Sequence, residues 1–246
     1  MGRLVVLSGP SCVGKGPLHA ALGRFYPQAA RRLNKLVLFN DRAPRPGEQD
    51  GVDYHFRRRE DIEKLRGSAG FLVVNVRGDL QALDLRQLDA ALGAGDVFFE
   101  GNPFIVQGLM SGRAAFAGAM LSVFLSPLSR EEVLHLRAQQ GVSLPDFVTD
   151  VMRRKLLRRT TRQKGVLSLR DMEEIERRAS SAYGELRFAH LYQYVIPNHD
   201  GEDSENWSAF SHPIGDARRT LMAFAELLEG RVPAVAEQWE ESLLPP

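Results

Sequence analysis

Residues 9–16 read Gly-Pro-Ser-Cys-Val-Gly-Lys-Gly and match the first seven positions of G-x-x-x-x-G-K-[ST]. The run is bounded by an apolar stretch at 3–8 and by helical spacing from about 15 to 25. A strand, a glycine-rich turn and a helix in that order make a phosphate cradle. The glycines let the backbone turn several N–H groups inward, and the helix N-terminus adds its dipole. Gly9, Ser11, Cys12, Val13, Gly14, Lys15 and Gly16 are therefore the candidate ATP-binding residues, with Lys15 the point charge for the β- and γ-phosphates. The eighth position breaks the pattern. Ser or Thr ordinarily offers Mg²⁺ a hydroxyl there, but this chain has Gly16 followed by Pro17. Proline suits a helix first turn, so the fold tolerates it. Cys12 sits among amides that would lower a thiol pKa. It reads either as a redox-active thiol or as a small side chain in a tight loop.

Downstream, apolar runs alternate with helical spacing. Strands are expected at 71–76, 97–100, 120–125 and 194–197, and helices at 60–65, 85–92, 130–139 and 217–228. That alternation predicts an α/β fold with an open parallel sheet and flanking helices. The tail 231–246 has three prolines and few packing cues, and is expected to be loosely ordered. At 246 residues, with 43% hydrophobic and 26% charged residues, one well-cored domain is possible and wholesale disorder is not expected. No apolar run reaches the roughly 20 residues that span a bilayer, and the N-terminus does not read as a signal peptide. One cysteine excludes intrachain disulfides and suggests a cytoplasmic protein.

Formal net charge is +1, so global charge steers nothing. Locally it is different. Residues 153–170 carry Arg153, Arg154, Lys155, Arg158, Arg159, Arg162, Lys164 and Arg170 and no acid. Such a segment fits arginines that neutralise a moving phosphoryl group, or a solvated basic helix. Nucleic-acid contact is not expected, because no aromatic platform or reading motif accompanies it. Glu100 ends an expected central strand, where a carboxylate faces metal and phosphates in an open sheet; a structural role is the alternative.

The loop 41–56, Asp-Arg-Ala-Pro-Arg-Pro-Gly-Glu-Gln-Asp-Gly-Val-Asp-Tyr-His-Phe, resembles the guanylate kinase pattern T-T-R-x-P-R-x-G-E-x-x-G-x-D-Y-x-F. A second stretch, Arg178-Ala179-Ser180-Ser181-Ala182 with Glu185-Leu186 and then His190 to Asn198, resembles R-L-x-x-A-x-x-E-L…H-x-Y-D-Y-V-I-x-N. The resemblance implies a P-loop NTPase-type fold over 1–230. It has a nucleoside monophosphate (NMP)-binding insertion at about 34–80 and an extended helical lid at about 138–178. It also implies small nucleotide substrates and ATP with Mg²⁺, the reaction being NMP plus ATP to NDP plus ADP. By resemblance Arg42, Arg45 and Tyr54 hold the acceptor phosphate, and two guanidinium forks with a phenol suit that dianion. Arg178 matches a family arginine; Arg158, Arg159 and Arg162 are further catalytic candidates in the lid.

Departures from the pattern cluster on base recognition. A serine that contacts guanine is Leu38, the glutamate that reads its edge is Val73, and Asn102 replaces an aspartate. The G-N-Y-Y-G tyrosine has no counterpart in 77–83. GMP is the family-default acceptor, and these changes point to an altered one. A catalytically weak or inactive nucleotide- or protein-binding module is the competing reading, favoured by Gly16-Pro17 and opposed by the retained Lys15, Arg42, Arg45 and Tyr54.

Overall fold

A computed structural model of the protein describes residues 2–44, 47–112 and 120–245. In chain order the elements are β1 (Leu4–Ser8), α1 (Lys15–Phe25), α2 (Pro27–Ala30), β2 (Asn34–Lys35), β3 (Phe39–Asn40), β4 (His55–Phe56), α3 (Arg59–Glu63), β5 (Phe71–Val76) and β6 (Asp79–Asp84). They continue with α4 (Leu85–Ala94), β7 (Val97–Gly101), α5 (Pro103–Gly112), β8 (Met120–Ser126), α6 (Arg130–Ala138), α7 (Leu144–Lys164), α8 (Leu169–Leu186), β9 (Tyr194–Pro197) and α9 (Gly215–Leu228).

The strands form a five-stranded sheet in the order β2-β7-β1-β8-β9 and a four-stranded sheet in the order β4-β3-β6-β5. β2 pairs with β7, and β8 with β9, in parallel. β1 is central and buried at every residue, which is why its sequence is continuously apolar rather than alternating. The α/β class and the expected strands are borne out. By its contacts the chain divides into two compact units, one of residues up to Val6 with Arg32–Leu121, the other of Leu7–Arg31 with residues from Ser122 onward.

In the first unit, one face of the four-stranded sheet buries Ile62 of α3 against Leu80 and Ala82, with Phe39, Leu65 and Val73 around them. β6 was not anticipated. Its hairpin with β5 turns on Arg77 (φ 57°) and Gly78 (φ 97°), with Val76 opposite Asp79. Two left-handed residues match a type I′ turn, but Arg-Gly lacks the Asn-Gly signal that betrays one. α5 was not anticipated either. Pro103 opens it, and the Asn102 side chain caps it by accepting from the Phe104 N–H at 2.9 Å.

In the second unit, α7 and α8 form a helical hairpin. α8 starts with a capping box between Ser168 and Asp171. The segment after residue 231 corrects the expectation of a loose tail. Trp239, Leu243 and Leu244 are buried, and Glu237 pairs backbone to backbone with Val195 of β9. The Arg137 guanidinium donates to the Ser242 and Leu243 carbonyls, and the Tyr183 hydroxyl to that of Pro245. Three large apolar side chains in a short stretch were the cue; the prolines masked it.

Candidate functional site

The glycine-rich loop belongs to the second unit. Gly9 (φ 145°), Cys12 (φ 67°) and Gly14 (φ 106°) take left-handed or similarly positive backbone angles, the steps that turn successive N–H groups to a common side. A Cβ on Gly14 would stand 2.6 Å from Asn198 Nδ2, so only glycine fits there. Lys15 starts α1, and its ammonium donates to the Gly9 and Pro10 carbonyls at 2.8 Å each. It is therefore already folded across the loop. Gly16 is exposed, with open space where a side chain would go.

The loop is braced from behind by residues 198–207. Asn198 Nδ2 donates to the Val13 and Asp200 carbonyls at 2.8 Å each, and the Glu202 N–H to the Cys12 carbonyl at 3.3 Å. A Cβ on Gly201 would lie 2.1 Å from the Cys12 carbonyl oxygen, so glycine is required for this close approach. Asp200 is fixed by Ser204, Asn206 and the Ala217 N–H at the start of α9. For Cys12 the expected lowering of the thiol pKa is not found, which fits the reading of a small side chain in a tight loop. Burial pushes its thiol up to about 12, and the Glu202 and Asp203 charges add to the effect. The side chain stays protonated at neutral pH and fills space in the loop.

That same acidic stretch meets the basic row of α7. Lys155 Nζ donates to the His199 carbonyl at 2.5 Å and lies 3.6 Å from Asp203. Arg158 pairs with Asp203 at 2.6 Å, Arg159 with Glu202 at 2.7 Å, and Arg162 with Glu205 at 3.5 Å. Spacings of three and four residues put these cations on one helix face. Burial works against the Arg159 charge, but Glu202 holds its pKa above the ordinary value. Arg178 on α8 is buried and pairs with Glu174. Burial pushes the Glu174 carboxyl up, and Arg178 and Arg177 outweigh it, so it stays below the usual range. Of the proposed lid arginines, Arg178 thus pairs with Glu174 and Arg159 with Glu202. The partners Glu202, Asp203 and Glu205 escaped the sequence reading. Their signal was the Gly-Glu-Asp-Ser-Glu run beyond β9, a local acid excess answering the basic one.

The acceptor-side residues belong to the first unit. Asn40 Oδ1 accepts from the Arg42 N–H at 3.1 Å and sets the turn. The Arg42 guanidinium makes a bidentate pair with Glu48, 2.6 Å on each arm. It also lies 5.1 Å from the Tyr54 ring and 5.5 Å from that of Phe56. Burial works against the Arg42 charge; Glu48 overcomes it and raises the pKa further. Arg42 and Tyr54 are therefore brought together, while Arg45 lies outside the described residues. Leu38 is buried, and Val73 packs into the apolar cluster beneath α3. Glu100 is half-buried near the end of β7.

The guanylate kinase family model matches residues 1–74. The chain is 32% identical over 199 residues to a guanylate kinase of Thermus thermophilus, covering 80% of this chain and 74% of that protein. It is 30% identical over 244 residues to a guanylate kinase of Alkalilimnicola ehrlichii, covering 98% of each. A crystal structure of guanylate kinase from Anaplasma phagocytophilum superposes with a TM-score of 0.55 at 19% identity, over 99% of this chain and 93% of that one, a likeness of fold. The glycine-rich loop, the Arg42–Tyr54 turn and relatives of matching length lead to one assignment: the chain belongs to the guanylate kinase family.

Proposed function

We propose that the protein is an ATP-dependent nucleoside monophosphate kinase, transferring the γ-phosphoryl group of ATP to a nucleoside monophosphate and yielding ADP and a nucleoside diphosphate. GMP is the acceptor expected from the family. One observation carries the reading: a strand–loop–helix phosphate cradle with Lys15 folded over its carbonyls, in a chain aligned end to end with a guanylate kinase. A module that only binds partners is not favoured, since it needs neither the cradle nor a second phosphate site.

In this mechanism Gly9, Ser11, Cys12, Val13, Gly14, Lys15 and Gly16 hold the ATP phosphates. Lys15 leaves its carbonyl partners for phosphate oxygens, exchanging neutral acceptors for charged ones. Arg42, Arg45 and Tyr54 hold the acceptor phosphate, and Arg42 does so by sharing its fork with Glu48. Arg178, with Arg158, Arg159 and Arg162, stabilises charge on the moving phosphoryl group. Mg²⁺ would be held by the phosphate oxygens of ATP and by water, with Glu100 acting on it indirectly. Gly16 brings no hydroxyl, and among the described residues no group of three His, Cys, Asp or Glu side chains could hold a metal alone. When bound, the ion neutralises phosphate charge. The kinase domain takes in 1–230, with the acceptor-binding region at about 34–80 and the lid at about 138–178. No helix among the described residues is long and apolar enough to cross a membrane. Cytoplasmic residence is the reading the lone cysteine supports.

The test is a coupled ADP-release assay across GMP, dGMP, AMP, CMP, UMP and IMP. ADP should form only with an acceptor present. Lys15→Ala should melt like the parent and lose transfer; unchanged turnover in that variant would remove Lys15 from the mechanism.

A further inference from the structure

Lys155 is a buried cation that the phosphate chemistry described above does not use. It stands in the middle of α7 and is 6% exposed, and lysine is almost never buried unless it is paired. Its ammonium donates to the His199 carbonyl at 2.5 Å and lies 3.6 Å from the equally buried Asp203 carboxylate. Arg158 and Arg159, one turn further along, reach the same stretch through its side chains, Asp203 and Glu202. Of these three cations, Lys155 is the one that grips backbone.

The turn passes that grip on to the glycine-rich loop. The Glu202 N–H donates to the Cys12 carbonyl at 3.3 Å, and Asn198 Nδ2 to the Val13 carbonyl at 2.8 Å. A peptide unit is planar and trans, so its C=O and N–H point opposite ways. Holding the Cys12 carbonyl toward the turn therefore sends the Val13 N–H to the other side, and holding the Val13 carbonyl does the same for the Gly14 N–H. Those are two successive donors of the phosphate cradle. The hold matters most at Cys12, whose φ of 67° is one that an L residue keeps only where its surroundings fix it. A Cβ on Gly201 would stand 2.1 Å from the Cys12 carbonyl oxygen, so turn and loop are in direct contact there.

We propose that Lys155 is a positioning residue for the ATP phosphates: from α7 it fixes the His199–Asp203 turn, and the turn aims the Val13 and Gly14 N–H groups. The inference rests on the kinase reading and adds to it a residue that acts without touching the nucleotide.

Lys155→Met keeps the apolar stem and removes the ammonium, while Asp203 keeps Arg158. Calorimetric titration with ATP and Mg²⁺ should show binding about 10-fold weaker than in the parent. In the ADP-release assay the KM for ATP should rise by about the same factor, with kcat and the acceptor's KM near the parent values. The fully buried Cys12 thiol gives a readout that needs no activity. Iodoacetamide should modify it about 10-fold faster in the folded variant, because the loop opens locally. The Lys155 charge favours the thiolate, so its loss alone would slow that reaction, and acceleration reports exposure. Leu243→Ala, which truncates a buried side chain of the C-terminal segment, is the control for lowered stability, and both readings should stay at the parent values. Parent-like ATP affinity or an unchanged thiol rate in folded Lys155→Met, or equal changes in Leu243→Ala, overturns the inference and leaves the kinase reading standing. A parent protein that binds no ATP sinks both. If Lys155→Met fails to melt cooperatively, Lys155→Met combined with Asp203→Asn leaves no buried ion without its partner and decides by the same readings.

Discussion

At Cys12 two influences oppose each other. A thiol among inward-facing amides is stabilised as thiolate, whereas burial stabilises the neutral form. Burial is the larger here, with Glu202 and Asp203 on the same side, and the thiol is pushed up to about 12. A raised acid pKa means that the native state holds the proton, so ionisation begins only at strongly alkaline pH. Native protein at pH 8 should therefore resist iodoacetamide, and unfolding in urea should expose the thiol. Rapid alkylation of the folded chain would show that the loop opens or that the thiolate is populated. Arg42 poses a different question, because its fork is already occupied by Glu48. A charge-assisted contact to phosphate contributes roughly 1.5–3 kcal/mol, so Arg42→Ala should weaken acceptor binding about 10- to 150-fold while ATP affinity stays near the parent value. Equal losses for both nucleotides in calorimetric titration would mean that Arg42 supports the fold instead.

At the scale of elements, the α7 face and the 198–207 stretch behave as one braced structure. Asp203 is almost wholly buried between Lys155 and Arg158. Removing the carboxylate leaves the Lys155 ammonium buried without its counter-ion, a change that costs about 3 kcal/mol or more. Arg162 and Glu205 are both largely solvent-exposed, and such a pair contributes little. Urea denaturation should find Asp203→Asn destabilised by about 3 kcal/mol and Arg162→Ala within about 0.5 kcal/mol of the parent. Equal effects would show that the ion pairs are not graded by burial. These pairings were not legible in the sequence, since Arg158 and Asp203 stand 45 residues apart. The basic run alone reads as a free lid. The phosphate loop was legible because all its parts are contiguous and flanked by a strand and a helix. The β5–β6 hairpin was hidden by its Arg-Gly turn, and α5 by the proline and glycines within Pro103–Gly112.

For the whole molecule, the packed segment beyond residue 231 contributes to stability. Leu243 is 1% exposed whereas Val232 is 64% exposed. Truncating a fully buried leucine costs the transferred methylenes and the cavity left behind, about 3 kcal/mol. Leu243→Ala should therefore lower the denaturation midpoint clearly, and Val232→Ala should not. Near-parent stability for both would restore the loosely ordered tail that the prolines suggest. Family, fold class and the phosphate loop could be read from the sequence. The hydrogen bonds that commit buried amides such as Asn40 and Asn102 could not, because each belongs to a local turn or helix start. Only the folded backbone decides that.

The central claim, that this chain moves a phosphoryl group from ATP to a nucleoside monophosphate, is tested most directly by following the products. Parent protein with ATP, Mg²⁺ and a panel of nucleoside monophosphates should give ADP and the matching nucleoside diphosphate in equal amounts, with no phosphate released to water. ADP formed without any monophosphate, or no diphosphate from any member of the panel by a protein that binds ATP, would contradict the account.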